Sequence, residues 1–223
     1  MDIFLIIIWY IVFLLSTTFH EAAHAFVAKL GGDLTAYNGG QVSLDPVAHI
    51  KREPLGMVVF PLLFLYLNGF PFGWASAPYD PVWANNNHRK AALMSLAGPA
   101  ANLLLVIVTG IALKIGIDQG HFTSSQIFSS IYGGSSYELS AGVKILSITF
   151  FLNFLLFLFN LLPLPGLDGS GVIPIFMNKR MATSYSNAIS NPGFAFLSLF
   201  IAWQLFPYIF TPAFSFAMSL LNI

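Results

Sequence analysis

The chain has 223 residues, of which 57% are hydrophobic and only 8% are charged, whereas soluble domains carry roughly 45–50% and 25%. Nine basic residues balance nine acidic ones, which excludes the basic surface of a nucleic-acid-binding protein, so no nucleic-acid partner is predicted. Cysteine is absent, which excludes disulfides and thiolate metal sites and leaves His, Asp and Glu as possible ligands. The composition predicts an integral membrane protein.

Four segments are long and apolar enough for a membrane span, which needs roughly 20 helical residues. The first, residues 3–30, lacks the basic start of a signal peptide and is predicted to remain as a transmembrane helix. The others are residues 91–117, 142–162 and 194–221, and the last is predicted as one span kinked at its prolines. The predicted fold class is therefore an all-α polytopic membrane protein with about four transmembrane helices.

Three connections carry local signals. Residues 34–45, LTAYNGGQVSLD, alternate around Asn38-Gly39-Gly40 and predict a small membrane-associated β-hairpin. Residues 70–90 are rich in Pro, Gly and Asn and contain two Trp, which predicts a loop at the membrane interface. Residues 118–141 are rich in Ser and Gly and are predicted to form an exposed loop.

Basic residues gather between the first span and the span that begins at residue 91: Lys29, Lys51, Arg52, Arg89 and Lys90. By the positive-inside rule, all of them belong on the cytoplasmic side. The short apolar segment at residues 55–70 then has to enter and leave the membrane on that side. It is predicted as a re-entrant segment.

The sequence HEAAH, residues 20–24, lies inside the first predicted span. Residues four apart share one face of a helix, so His20 and His24 can bind one metal ion, and Glu21 beside them can act as a general base on water. Ionisable side chains in a membrane helix are costly and are usually functional. The pattern favours a zinc site, and a proton relay or a polar helix contact are the alternatives.

A catalytic zinc usually has three protein ligands. Asp168 is the best-placed candidate for the third, because Pro163, Pro165 and Gly166 end the preceding apolar run and expose its carboxylate on a bend. An ordinary turn aspartate is the alternative. Asp168 can reach the histidines only if an even number of complete spans separates them, which also favours a re-entrant segment at residues 55–70.

Three motifs together, HEAAH, AGPAAN at residues 97–102 and NLLPLPGLDG at residues 160–169, resemble the site-two protease family of intramembrane zinc metalloproteases. FGWASAP, at residues 72–78, is similar to a further segment of the compact bacterial and archaeal members. The resemblance runs from about residue 16 to residue 171. It implies an integral protein of a prokaryotic cell membrane with its active site near the cytoplasmic face.

The resemblance also assigns roles to residues. His20, His24 and Asp168 would bind one Zn²⁺ per chain, and Glu21 would be the catalytic base. Asn160 would position substrate or stabilise the oxyanion. Asn102 would lie in the central helix close to the site, with a simple helix–helix hydrogen bond as the alternative.

By the same resemblance, residues 1–223 would form a single intramembrane metalloprotease domain. The catalytic core would cover about 1–171 and a C-terminal helical segment about 172–223, with no PDZ or CBS domain. The domain would hydrolyse peptide bonds within or at the edge of transmembrane segments of membrane-protein substrates, in regulated intramembrane proteolysis.

Other functions remain open from the sequence. The hairpin at residues 34–45 could bind an extended substrate by β-addition or merely pack on the helices. The alternative functions are a non-proteolytic zinc-binding membrane protein, such as a chaperone or transporter, and an intramembrane lipid-amide hydrolase. The sequence carries no signal for an oligomeric state.

Overall fold

The computed structural model describes residues 2–132 and 140–221 of the chain. Its helices are, in chain order, α1 (Ile3–Gly31), α2 (Thr35–Asn38), α3 (Pro46–Arg52), α4 (Phe60–Asn68), α5 (Pro81–Asn86), α6 (His88–Asp118), α7 (Ser124–Tyr132), α8 (Ala141–Asn160), α9 (Asp168–Val172), α10 (Lys179–Ile189) and α11 (Pro192–Leu220). A π-helical turn, Leu55–Val59, leads into α4, and a 3₁₀ turn, Ile173–Phe176, follows α9. Helices α1, α6, α8 and α11 are long and apolar enough to cross a membrane, so the polytopic all-α part of the prediction agrees with the structure.

Helix α1 is longer than the bilayer core that it crosses. Its 29 residues span about 43 Å at 1.5 Å per residue, against a hydrocarbon thickness of about 30 Å. Asp2 begins the helix by accepting a hydrogen bond from the Phe4 N–H, and Gly32 ends it with a left-handed φ of 100°. Helix α1 therefore extends beyond the hydrocarbon core at one or both of its ends.

Three helices form the centre of the bundle, because α6 packs against both α1 and α8, and α1 also contacts α8. Trp9 of α1 is buried and meets Phe151 of α8 edge to face, with ring centroids 6.2 Å apart. Helix α11 packs on α8 through phenylalanines such as Phe210 and Phe214, and most of its other surface is exposed. It continues through both of its prolines as one helix.

The β-hairpin predicted at residues 34–45 is wrong, since the residues that the structure describes contain no strand. The Asp33 carboxylate accepts hydrogen bonds from the Thr35 N–H (2.9 Å) and the Thr35 hydroxyl (2.6 Å), and the short helix α2 follows. Asp45 likewise caps α3 by accepting from the Val47 N–H at 3.0 Å. These local side-chain bonds start helical turns, which a brief polar–apolar alternation cannot outweigh. Because no strand forms there, residues 34–45 offer no hairpin edge to which a substrate could be added as a strand.

The apolar segment that begins at Leu55 returns to the end of the bundle where it started. It turns at Gly69, whose φ is +71°, and runs back without regular secondary structure, so that the Trp74 N–H donates to the Gly56 carbonyl at 3.1 Å. The Ser76 hydroxyl then donates to Glu53 Oε1 at 2.6 Å, just before the segment begins. This is the geometry of a segment that enters and leaves on one side.

The two other predicted connections contain short helices. Asp80 caps α5 through the Val82 N–H, and Trp83 of α5 donates through Nε1 to the Gly31 carbonyl at 3.2 Å. The loop predicted at residues 118–141 contains α7, which packs on α8. Residues 133–139 of that loop lie outside the described residues.

Candidate metal centre

His20 and His24 lie one turn apart on the face of α1 that meets α6, and both are buried. Their Nε2 atoms are 3.0 Å apart. Gly98 of α6 lies opposite: a Cβ atom there would come within 2.5 Å of His20 Nε2 and still closer to His24 Nε2. Helix α6 therefore has a glycine at the position where the two imidazoles need the space.

Asp168 reaches these histidines because the chain folds back after α8. The helix ends at Asn160, and the turn passes through Gly166 with a left-handed φ of +90°. A Cβ atom on Gly169 would collide with the Leu161 carbonyl at the end of α8. Glycine therefore lets α9 approach the end of α8, which brings Asp168, its first residue, to the histidines.

Three ligand atoms converge in the space between α1, α6 and α9. Asp168 Oδ2 lies 3.0 Å from His20 Nε2, and Oδ1 lies 3.3 Å from His24 Nε2. Tetrahedral ligands at about 2.1 Å from a zinc ion are about 3.4 Å from one another. His20, His24 and Asp168 thus form a group whose spacing is suitable for one metal ion.

The other ring nitrogens show what charge this group requires. His24 Nδ1 lies 2.7 Å from the Met94 carbonyl oxygen, which can only accept, and His20 Nδ1 lies within hydrogen-bond distance of Asn102 Oδ1. In neutral imidazoles that donate through Nδ1, both Nε2 atoms carry lone pairs. Two lone pairs and the partly exposed carboxylate of Asp168 then face one another with no donor between them. A bound cation satisfies all three, so the residues fit a zinc ion.

Glu21 lies beside the metal group and lines a cavity of about 460 Å³. His24, Asp168, Ser95 and Tyr185 also line this cavity. The Glu21 side chain is only 7% exposed and makes no hydrogen bond or ion pair among the residues that the structure describes. A carboxylate with free lone pairs next to a metal group is suited to accept a proton from water.

The structure separates the two asparagines that the sequence singled out. Asn102 is fully buried and contacts His20 directly. Asn160, the last residue of α8, donates through Nδ2 to the Leu156 carbonyl of its own helix at 3.0 Å, and it is not among the residues that line the cavity. The geometry therefore joins Asn102 to the metal group and leaves Asn160 outside it.

Sequence reasoning missed two contributors to the site. Met94 acts through its backbone carbonyl, and a backbone group leaves no signature in the sequence. Gly98 contributes by leaving room for the histidine rings, since a Cβ atom there would collide with both of them. The motif AGPAAN contains the signal, because Gly98 and Asn102 are four residues apart and share a helix face.

The comparison with protein families decides the classification. The profile of peptidase family M50 matches residues 8–200. The chain belongs to peptidase family M50. This is the family of site-two proteases, so the resemblance found in the three motifs is confirmed.

Bacterial members of the M50 family are similar to this chain over most of its length. The predicted zinc metalloprotease YwhC of Bacillus subtilis is 32% identical over 192 residues, which are 86% of this chain and 78% of YwhC. The predicted zinc metalloprotease Rip2 of Mycolicibacterium smegmatis is 30% identical over 168 residues, 75% of this chain and 56% of that protein. Rip2 of Mycobacterium tuberculosis is 34% identical over 156 residues, 70% of this chain and 52% of its own length. No solved structure matches the chain.

Family and structure together confirm the main prediction from the sequence. The chain is an M50 metalloprotease with a zinc cofactor and is an integral membrane protein. A non-proteolytic zinc-binding protein or a lipid-amide hydrolase is not favoured.

Proposed function

We propose that His20, His24 and Asp168 hold the zinc ion of this M50 protease and that Glu21 is its general base. The observation that carries the proposal is the convergence of three ligand atoms beside the free carboxylate of Glu21. Residues 1–223 act as one intramembrane protease domain in this proposal. Its catalytic core covers about 1–171, and the segment at about 172–223 completes the cavity wall through residues such as Tyr185.

The residues of the site perform peptide hydrolysis in the following way. When bound, zinc supplies Lewis-acid polarisation of the scissile carbonyl and lowers the pKa of water. Glu21 accepts a proton from the attacking water and later donates a proton to the leaving amine. The Nδ1 hydrogen bonds to Met94 and Asn102 hold both imidazoles with Nε2 directed at the metal position.

The role predicted for Asn160 remains a proposal. Its amide would have to leave the Leu156 carbonyl before it could contact a substrate or an oxyanion. Any such contact therefore needs a change in the Asn160 side-chain conformation when substrate binds.

Peptide bonds within or at the edge of transmembrane segments are the proposed substrates. His20 lies eleven residues before the end of α1, which is about 16 Å below it at 1.5 Å per residue. The cavity reaches Glu21 and His24 near this depth and is also lined by Ala75 and Ala77, which lie outside any helix. Their backbone N–H and C=O groups have no hydrogen-bond partner in the described part of the chain. An unwound substrate segment can pair with them.

The active site is proposed to lie near the cytoplasmic face of a prokaryotic cell membrane. Seven of the nine Lys and Arg residues lie in segments at the end of the bundle where α1 ends, α6 begins and α8 ends. Lys90 of α6, for example, donates to the Gly31 carbonyl of α1 at 3.1 Å. This charge bias supports the cytoplasmic assignment, and the bacterial relatives support the choice of membrane.

Glu21→Gln is the variant that tests the catalytic assignment. Gln keeps the shape of Glu but cannot accept the proton. The purified protein is reconstituted in liposomes with single-span reporter proteins, and cleavage is compared at equal zinc content. Glu53→Gln is the matched control, because Gln can still accept the Ser76 hydroxyl bond and Glu53 does not line the cavity.

The expected result is cleavage by the wild type and by Glu53→Gln, with a loss of at least about 100-fold in Glu21→Gln. Equal cleavage by Glu21→Gln would show that another group is the base. Cleavage of lipid amides instead of the reporters would contradict the proposed substrate class.

A further inference from the structure

Asn153 is a fully buried amide in the apolar helix α8. Its Nδ2 donates to the Ser16 hydroxyl of α1 at 2.9 Å and to the Thr149 carbonyl of its own helix at 2.8 Å. Its Oδ1 accepts from Asn102 Nδ2 of α6 at 2.8 Å. The side chain thus joins the three central helices directly below the metal group.

The hydrogen bonds of Asn153 have a fixed direction. The Thr149 carbonyl can only accept, so the NH₂ group of Asn153 must face it and Oδ1 must face Asn102. Asn102 therefore presents its own NH₂ group to Asn153 and its Oδ1 to His20 Nδ1. His20 must then carry its proton on Nδ1, which leaves the Nε2 lone pair facing His24 and Asp168.

The hydrogen bonds between Asn153 and Asn102 and between Asn102 and His20 Nδ1 form a relay. The orientation of His20 depends on this relay, whereas that of His24 does not. The proton of His24 is held by the Met94 carbonyl, which cannot reverse its role. In the described part of the chain, the partner of His20 Nδ1 is an amide, and an isolated amide can rotate to present either O or NH₂. A second amide that is anchored on a carbonyl removes this freedom.

We propose that Asn153 is a positioning residue for zinc binding, because it orients Asn102 and thereby fixes His20 with Nε2 toward the metal. This inference rests on the proposed function of His20 as a ligand. Asn153 contacts neither the ligand atoms nor the cavity. Its effect passes through Asn102.

The test measures zinc affinity in the purified full-length protein in detergent, by competition with a chelating indicator. Asn153→Leu has a similar shape but removes all three hydrogen bonds, and we expect the zinc Kd to rise by about 10- to 100-fold. Ser147→Ala is the matched control, because Ser147 is equally buried on α8 and its hydroxyl has no partner among the described residues. Its zinc Kd is expected to equal that of the wild type.

Two further readouts separate positioning from a general loss of structure. In an Asn102→Leu background the relay is already interrupted, so Asn153→Leu should cause no further loss of zinc affinity. In the cobalt-substituted protein, the visible spectrum of Co²⁺ should change in Asn153→Leu and not in Ser147→Ala. If Asn153→Leu does not fold, Asn153→Ala replaces it in every comparison.

An unchanged zinc Kd in Asn153→Leu would overturn the inference, and so would an equal loss in the wild-type and Asn102→Leu backgrounds. Either result leaves the metal centre itself intact. Absence of zinc binding by the wild type would instead contradict the proposed function.

Discussion

Replacing Gly98 with Ala adds one methyl group at the most crowded point of the metal centre. The new Cβ atom would lie within 2.5 Å of His20 Nε2 and closer still to His24 Nε2, whereas ordinary contacts begin at 3.4 Å. The rings or helix α6 would have to move by about 1 Å, several times the tolerance of about 0.2 Å for metal–ligand distances. We expect the zinc Kd to rise by at least about tenfold.

Gly110→Ala is the control for this prediction. Gly110 is also buried in α6, but an added Cβ atom would have Phe150 as its nearest neighbour, at 3.2 Å, and this ring needs to shift by only a few tenths of an ångström. Both variants gain the higher helix propensity of Ala, about 1 kcal/mol. Zinc affinity is measured by chelator competition, and thermal unfolding checks the fold. Equal zinc affinity in the two variants would refute the steric argument.

Two more predictions concern the elements that enclose the site. Gly73→Ala places a Cβ atom against the Gly56 carbonyl and 2.6 Å from Pro61, so it should destabilise the protein by about 1–3 kcal/mol. Gly142→Ala is the control and should not lower the Tm, because its Cβ atom would meet only the Ser140 hydroxyl, at an ordinary contact distance of 3.9 Å. Asp33 is buried, which raises its pKa, but hydrogen bonds from Thr35 and from the Asp80 N–H outweigh this and lower the pKa overall. Its contribution to stability is therefore present above the unfolded value of about 3.9 and is lost as the pH falls through the folded value. Asp33→Asn should lower the Tm at neutral pH, and a deficit that persists in full at pH 2 would contradict this.

The sequence predicted the metal group and, through the family resemblance, Asn102 close to it, but not the Met94 carbonyl or the space that Gly98 leaves for the imidazoles. His20, Glu21 and His24 could be placed because helical spacing is a local property, and Asp168 could be placed because prolines and glycines mark the turn before it. The hairpin prediction failed because a short alternation competes with the caps at Asp33 and Asp45, which a pattern search weighs too lightly.

A second limit of the sequence concerns contacts between helices. Asn153 and Asn160 stand in the same apolar run and are seven residues apart, so they lie on nearly the same face of α8 and differ in their position along its axis by about two turns. The bundle decides that one amide faces Asn102 and that the other bonds to its own helix. The packing of the helices, and not the local sequence, therefore shows that Asn153 contacts Asn102, while the role of Asn160 remains a proposal.

The two motifs HEAAH and AGPAAN are complementary because α1 and α6 run antiparallel. Met94, Gly98 and Asn102 are spaced by four on α6, so they share one face and span about 12 Å, while the histidines on α1 are about 6 Å apart along the axis. The imidazoles lie at 80° to each other, so their Nδ1 atoms diverge toward Met94 and Asn102 and their Nε2 atoms converge in front of Gly98. One added residue between Gly98 and Asn102 would rotate the amide by about 100° away from His20. The spacing of AGPAAN is thus a requirement of the metal site and not only of helix packing.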